Sequence, residues 1–371
     1  MNVPFLDLRR QHAELAAELS AAAERVLAGG AYVLGREVEG FEREWADFCG
    51  ARGAAGVGTG TDALALALVA SGAVRPGRGD EVITTPLTAG YTALAILNAG
   101  AVPVFADINP RTLTLDPGAL SKAVTPRTRA VVPVHLYGRL AEIEAICDAA
   151  SRLGLSVVED AAQAHGAGAG RGRAGTHGQA AAFSFYPTKN LGAYGDGGAV
   201  TSNDLSLIER VKELRQGGHE AALRSGPPAG VNSRLDEMQA ALLRVKLRRL
   251  DEWNGRRARL AGKYLRELEG VPDLTLPSVP EYAEPAWHLF VVRHPRRDAL
   301  REHLERAGVG TLIHYPLPPH LQPAYAELGL GPGSFPLAEA LAREVLSLPL
   351  GPHLSEAEVD HVVAAVSSFA G

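Results

Sequence analysis

Lys189 is the residue of this sequence whose setting most strongly predicts chemistry. It follows AAFSF at 181–185, an apolar segment that predicts a buried strand, and a glycine-rich stretch comes after it. A lysine that loses its hydration has a lowered pKa and becomes a usable amine nucleophile. Ser184 lies on the same segment and could bind a phosphate group. The competing interpretation is a solvated loop lysine, which describes most lysines in proteins.

A second candidate is the acidic pair that ends the apolar segment LSVVE at 155–159. Side chains alternate along a strand, so Asp160 is expected to face a site and Glu159 the opposite side. A carboxylate at the end of a buried strand needs a partner, because desolvation penalises an unpaired charge. A protonated pyridine nitrogen would be such a partner, and Gln163 could donate to a hydroxyl on the same ring. Alternatively, Asp160 caps a helix that begins at the next residue.

The third candidate is GVGTGTDAL at 56–64, where a predicted strand runs through glycines directly into a helix. Gly60, Thr61 and Asp62 would present backbone N–H groups at the positive end of that helix, which is an arrangement that binds phosphate. A plain tight turn is the competing interpretation. A nicotinamide-binding loop is another, but the spacing G-x-G-x-G is not the full G-x-G-x-x-G.

A phosphate cradle, a carboxylate and a lysine are together the minimum set of groups for pyridoxal phosphate. The lysine would hold the aldehyde, and the carboxylate would keep the ring nitrogen protonated so that the ring can accept electrons. Open α/β sheets bind ligands at the carboxyl ends of their parallel strands, so the three segments are expected to meet there.

The pattern of elements supports such a sheet. Helical patterns alternate with short apolar runs, which predicts crossover units and a mostly parallel sheet. The predicted strands lie at 54–57, 81–85, 102–106, 130–136, 155–159, 181–185 and 197–202. A long helix is expected over 235–264, and a loop at 225–230. A further strand at 287–294 and helices at 297–307, 337–346 and 355–368 predict a smaller α+β domain. The fold class is therefore α/β, with a large domain over 1–250 and a small C-terminal domain over 251–371.

Composition narrows the class of protein. The formal net charge of −5 over 371 residues gives no reason to expect a nucleic-acid or anionic-membrane partner. The two cysteines cannot build a disulfide framework, which fits a reducing cytoplasm. The first residues lack the layout of a signal peptide. No apolar run approaches the ~20 residues that would span a bilayer.

At the level of longer motifs, the chain resembles the DegT/DnrJ/StrS family of sugar aminotransferases nearly end to end. The Lys189 segment and the Asp160 segment are highly specific when they occur together. The motifs that carry the resemblance are FLDL at 5–8, GTDALALAL at 60–68, PVHLYG at 133–138, EDAAQAHGA at 159–167, FSFYPTKNLGAYGDGGA at 183–199, NSRLDEMQAALLRVKL at 232–247, HYPLPPH at 314–320 and SLPL at 347–350.

This resemblance implies the aspartate-aminotransferase-like fold type I, pyridoxal phosphate as the cofactor, and a role for each matching residue. Lys189 would form the Schiff base with the cofactor and shuttle the proton, and Asp160 would pair with the pyridinium nitrogen. Asn232 would reach the phosphate of the neighbouring subunit, which implies a homodimer. The other matching residues would contact the ring oxygen (Gln163), the phosphate (Gly60, Thr61 and Ser184) and the sugar or its nucleotide (His314 and Tyr315).

The resemblance also implies the substrates. Such enzymes take nitrogen from L-glutamate and pass it to a nucleotide-linked keto sugar. PVHLYG and EDAAQAHGA are similar to the corresponding motifs of enzymes that aminate carbon 3 of a dTDP-linked sugar. Relatives that act at carbon 4 or on cyclitol ketones share most of these residues, so those two alternatives stay open.

Other classes of protein are alternatives to an aminotransferase. A related dehydratase has histidine at the lysine position, so Lys189 favours transamination. A non-catalytic regulator on the same fold and a nicotinamide oxidoreductase are further alternatives. A metal site is disfavoured because His314 and His320 lack a third ligand at a suitable spacing.

Many relatives stack an aromatic residue on the cofactor ring where this chain has Ala89, and a shifted alignment would offer Tyr91 instead.

Overall fold

A seven-stranded sheet dominates the computed structural model, which describes residues 1–170, 172–218, 230–280 and 283–369. In chain order the strands are β1 (Gly53–Val57), β2 (Glu81–Thr84), β3 (Val102–Phe105), β4 (Thr128–Val131), β5 (Ser156–Asp160), β6 (Gly168–Ala169), β7 (Gly172–Arg173), β8 (Ala180–Ser184), β9 (Gly198–Ser202), β10 (Ala283–Glu284), β11 (Phe290–Arg293) and β12 (Val345–Leu348). The large sheet has the order β1-β9-β8-β5-β4-β2-β3. In this described sheet β9 runs antiparallel to both of its neighbours, β1 and β8, and the other pairs of strands are parallel. The predicted mostly parallel sheet is confirmed.

Helices cover both faces of the sheet. They are α1 (Leu8–Gly29), α2 (Arg36–Cys49), α3 (Gly60–Ala70), α4 (Gly90–Asn98), α5 (Leu120–Ala123), α6 (Ile143–Arg152), α7 (Leu205–Leu214), α8 (Glu237–Leu247), α9 (Leu250–Glu267), α10 (Arg297–Arg306), α11 (Pro336–Glu344) and α12 (Glu356–Ser367). On one face α3 and α7 pack against alternate strand residues such as Val158 and Val200. On the other face Trp45 of α2 packs edge-on against Phe183 and Phe185, with ring centroids 4.9 and 5.4 Å apart.

Two helix predictions need correction. The expected long helix over 235–264 is two helices, α8 and α9, interrupted at Arg248 and Arg249. The expected helix over 337–346 ends at Glu344, because the apolar side chains that follow are buried in the antiparallel pairing of β12 with β11. Of the predicted loop at 225–230, all but Gly230 lies outside the described residues.

The β11–β12 pair has a hydrophobic core of its own, formed with α9, α10 and α12. Val3 belongs to this core and its backbone bonds to Gly308 and Gly310. The first residues of the chain therefore pack with its last part, while the expected boundary at 250 falls at the start of α9. Within the described ranges, no helix is long and apolar enough to cross a membrane.

Candidate active site

A cavity of about 490 Å³ lies at the carboxyl ends of β5 and β8. Its walls come from the start of α3, the start of α4, the loop after β8 and two segments of the C-terminal part. It brings together eight of the ten predicted site residues: Gly60, Thr61, Asp160, Gln163, Ser184, Lys189, His314 and Tyr315. The side chains of Asp62 and Asn232 do not line it.

Lys189 lies in the loop between β8 and β9, and its backbone N–H donates to the carbonyl of Tyr186 at 2.8 Å. Burial lowers the pKa of its amine to about 8, although the negative charge of Asp160 acts in the opposite direction. Within the part of the chain that the structure describes, its Nζ has no hydrogen-bond partner. The amine is therefore oriented by its backbone and by the cavity walls, and is available for chemistry.

Glu159 and Asp160 point to opposite faces of β5, as the alternation of the strand predicts. Asp160 faces the cavity, where Oδ2 accepts from the hydroxyl of Thr92 at 2.8 Å and Oδ1 from the Ala162 N–H at 3.1 Å. The chain continues from Asp160 into turns, so the alternative role as a helix cap does not apply.

Glu159 is fully buried behind the sheet and serves the architecture. His135 Nδ1 accepts from the Ala141 N–H, so its Nε2–H donates to Glu159 at 2.9 Å. The N–H groups of Gly175 and Gly178 also bind this carboxylate. Burial by itself would raise the pKa of Glu159, but these donors, with His135 the strongest of them, together lower it.

Gln163 connects the two sides of the cavity. Its Oε1 accepts from the Tyr137 N–H and its Nε2 donates to the hydroxyl of Tyr315, both at 2.8 Å. The Tyr137 hydroxyl donates to the carbonyl of His314. One N–H of the Gln163 amide remains for a ligand, since an amide nitrogen carries two donors. The segment that carries His314 and Tyr315 is thereby fixed against the edge of the sheet.

Gly60 and Ser184 form a close contact at the start of α3. A Cβ at position 60 would lie 2.5 Å from the Ser184 Cβ, so only glycine fits there. Thr59 caps the helix by accepting from the Asp62 N–H at 3.0 Å. The N–H groups of Gly60 and Thr61 stay at the positive end of the helix beside the Ser184 hydroxyl, and such groups bind phosphate.

Asp62 differs from its expected role as a cofactor ligand. Its backbone N–H is used in the Thr59 cap, and its carboxylate accepts from the Ser233 hydroxyl at 2.7 Å. The same hydroxyl accepts from the Gly58 N–H at 2.9 Å. Asp62 therefore links the segment around 233 to the phosphate-binding turn. Asn232, next to this link, is exposed on the surface and is not among the residues that line the cavity of its own chain.

Sequence reasoning did not single out Thr88, Thr92 and His288, which are among the further polar residues that line the cavity. The two threonines share a hydrogen bond of 2.9 Å and follow β2, so a polar residue after each strand end was the available signal. For His288 no such signal exists, because it belongs to a distant part of the chain. Ala89 and Tyr91, the two positions considered for a residue that stacks on the ring, both line the cavity.

A glycine-shaped cradle at a helix start, a buried carboxylate and a desolvated lysine in one cavity fit pyridoxal phosphate. The site and the fold define an aminotransferase that depends on this cofactor.

The chain belongs to the DegT/DnrJ/EryC1/StrS aminotransferase family, whose model matches residues 13–367. It is 52% identical over the full length of both chains to the erythromycin biosynthesis sensory transduction protein EryC1 of Saccharopolyspora erythraea. It is 51% identical to the dTDP-3-amino-3,4,6-trideoxy-alpha-D-glucose transaminase of Streptomyces venezuelae, covering 99% of this chain and 96% of the relative. The crystal structure of S. venezuelae DesV in complex with a ketimine intermediate superposes with a TM-score of 0.95 at 50% identity, covering both chains completely.

Proposed function

We propose that this enzyme transfers the amino group of L-glutamate to carbon 3 of a dTDP-linked keto-deoxy sugar. The presence of Lys189 and Asp160 in one cavity carries the transamination chemistry. The relative whose name specifies a dTDP-3-amino sugar shares half of its residues with this chain, which supports the nucleotide and the carbon. The free cysteines Cys49 and Cys147 support an enzyme of the cytoplasm. The separate hydrophobic core around β11 and β12 supports two domains, over 1–250 and 251–371.

The chemistry is divided between the cofactor and the chain. When bound, pyridoxal phosphate supplies an aldehyde that condenses with amines and a ring that accepts electrons. Lys189 would hold the aldehyde at rest, and its freed Nζ would take the proton from the α-carbon of glutamate and return it to the cofactor carbon. Asp160 would keep a proton on the ring nitrogen, and the hydroxyl of Thr92 orients the Asp160 carboxylate.

The remaining residues bind and orient. The N–H groups of Gly60 and Thr61 and the hydroxyl of Ser184 hold the phosphate, and the second N–H of Gln163 reaches the ring oxygen. His314 and Tyr315 form the wall on which the sugar nucleotide lies. Tyr315 is fixed there by Gln163, so cofactor and sugar are positioned by one hydrogen-bond chain.

Asn232 acts across a homodimer and binds the phosphate of the partner. The exposed position of Asn232 supports this role. Val231 and Tyr32, with 43% and 53% of their surface exposed, are apolar residues that a partner subunit could cover. Mixing Lys189→Ala with Asn232→Ala tests this role. Each variant alone should be inactive or weak, while hybrid dimers that contain one intact site should regain activity. Activity that stays at the sum of the two separate variants would refute a shared site.

The substrate is tested with purified enzyme, glutamate and a panel of nucleotide keto sugars. Turnover should be fastest with the dTDP-linked 3-keto sugar, and formation of 2-oxoglutarate should follow ping-pong kinetics. A preference for a 4-keto sugar or a cyclitol ketone would overturn the proposed substrate and leave the chemistry intact. Failure of glutamate to change the visible spectrum of the loaded enzyme would refute transamination itself and favour a regulator.

A further inference from the structure

His288 forms part of the cavity wall, and the mechanism above leaves it without a role. It lies just before β11, in a segment that packs tightly against the turn at Tyr137 and Gly138. The Ala286 N–H donates to the Gly138 carbonyl at 2.8 Å. A Cβ at position 138 would lie 2.5 Å from the backbone nitrogen of His288. The backbone of His288 is therefore fixed against the edge of the large sheet.

The hydrogen bonds of Asn190 determine which ring nitrogen of His288 carries the proton. The Nδ2 of Asn190 donates to Asn254 Oδ1 at 2.9 Å and to the Ala286 carbonyl at 2.6 Å. Its Oδ1 is consequently an acceptor, and it receives the Nδ1–H of His288 at 3.1 Å. The other nitrogen, Nε2, is left with a lone pair and, among the described residues, with no partner.

The charges around this pair keep the imidazole neutral. Burial first, and then the positive charges of Lys189 and Arg257, hold the pKa of His288 well below its ordinary range. Among the groups around Lys189, the negative charge of Asp160 favours the charged form of the amine. His165 and His314 are also near, and burial lowers their pKa values to about 3 and about 4, so both are neutral. A neutral acceptor thus lies in the same cavity as an ammonium group that has three donors.

We propose that His288 is a positioning residue whose Nε2 accepts a hydrogen bond from Lys189 Nζ when that side chain turns free of the cofactor. A buried ammonium needs acceptors, and the Asp160 carboxylate, which already accepts from Thr92 and Ala162, would face the ring nitrogen when the cofactor is bound. The flexible four-carbon stem of lysine lets the amine turn to a neighbouring wall. Asn190, next to Lys189 in the chain, keeps the acceptor nitrogen bare. The proposal rests on the proton-carrying role given to Lys189.

Lysine NMR of the full-length, cofactor-free protein tests this inference without either substrate. The chain has five lysines, so ¹³Cε-labelled lysine gives few signals, and Lys189→Ala assigns the relevant one. Replacing His288 by Leu should lower the measured pKa of Lys189 by about one pH unit, because a hydrogen bond to a charged group is lost. His288→Gln retains an acceptor and should keep the pKa close to that of the wild type. The signal of Lys263, which pairs with Asp360, is the internal control.

Several results would overturn the proposal. The first is a pKa of Lys189 that does not change in His288→Leu. The second is a pKa of Lys189 that rises in that variant, which would mean that the imidazole is cationic. The third is an equal fall of the Lys189 pKa in the Leu and Gln variants. A ¹⁵N spectrum of the wild type adds a readout that needs no folded Leu variant, with the signal assigned by its loss in His288→Gln. A protonated His288 Nε2 there would refute the acceptor. Because no substrate enters these measurements, an error in the proposed sugar would not affect them.

Discussion

The burial of Lys189 makes the pH dependence of cofactor attachment predictable. The uncharged amine attacks the aldehyde, and the pKa of this lysine is about 8 instead of the ordinary 10.5. At pH 7 about a tenth of the Lys189 amine is then uncharged, compared with about 0.03% of an ordinary lysine. The reactive fraction of Lys189 is therefore about 300-fold larger. The attachment rate should rise about tenfold per pH unit between pH 6 and 7 and level off above pH 8.

The assay follows the visible absorbance after mixing cofactor-free protein with pyridoxal phosphate in a stopped-flow instrument. Nα-acetyl-lysine is the matched control, and its rate should keep rising to beyond pH 10. The Lys189→Arg variant should give no stable visible band, since a guanidinium does not lose its proton in this range. A protein rate that still climbs tenfold per pH unit above pH 9 would refute the desolvated lysine.

Three substitutions test other parts of the site and fold. Asp160→Asn should lower turnover at least about 100-fold with cofactor still bound, because the ring nitrogen loses its anionic partner; near-normal kcat would exclude that role. Gly60→Ala should weaken cofactor binding at least about tenfold, because the added Cβ meets Ser184, whereas Gly255→Ala, with open space around it, should leave the dissociation constant unchanged. Trp45→Ala should lower the free energy of unfolding by about 3–5 kcal/mol in denaturant titrations, and a loss below about 1 kcal/mol would contradict its place in the aromatic cluster.

Local pattern was sufficient for the sheet and for the centre of the site. Each of the seven apolar runs predicted before residue 203 overlaps one of the seven strands of the large sheet, since buried strands appear as short apolar segments. The pleat of β5 separated Glu159 from Asp160 without any tertiary information. Lys189 stood out because it is one of only five lysines and lies just beyond the end of a predicted buried strand. These are properties of a few adjacent residues.

What the sequence could not supply depends on distant packing. The break at Arg248 and Arg249 interrupts a continuous helical pattern, and the strand β12 continues an apolar pattern that also suits a helix. His288 enters the cavity only because its segment packs against Gly138. Asp62 was expected to bind phosphate, yet the Thr59 cap and Ser233 already occupy its groups. No pattern within one segment reports such competition between partners.

Because β9 runs antiparallel to β8, the position of the Lys189 side chain is closely determined by the sheet. A parallel neighbour would have required the chain after Ser184 to cross the sheet and return from the opposite edge. Instead, Ser184 pairs directly with Gly198, so both ends of the intervening segment are anchored at one rim by the ladder. Lys189 sits in irregular backbone, but the span of that backbone is closed at a fixed width. Inserting or deleting a residue between 185 and 197 would therefore displace the amine, whereas the same change on the far rim would leave it in place.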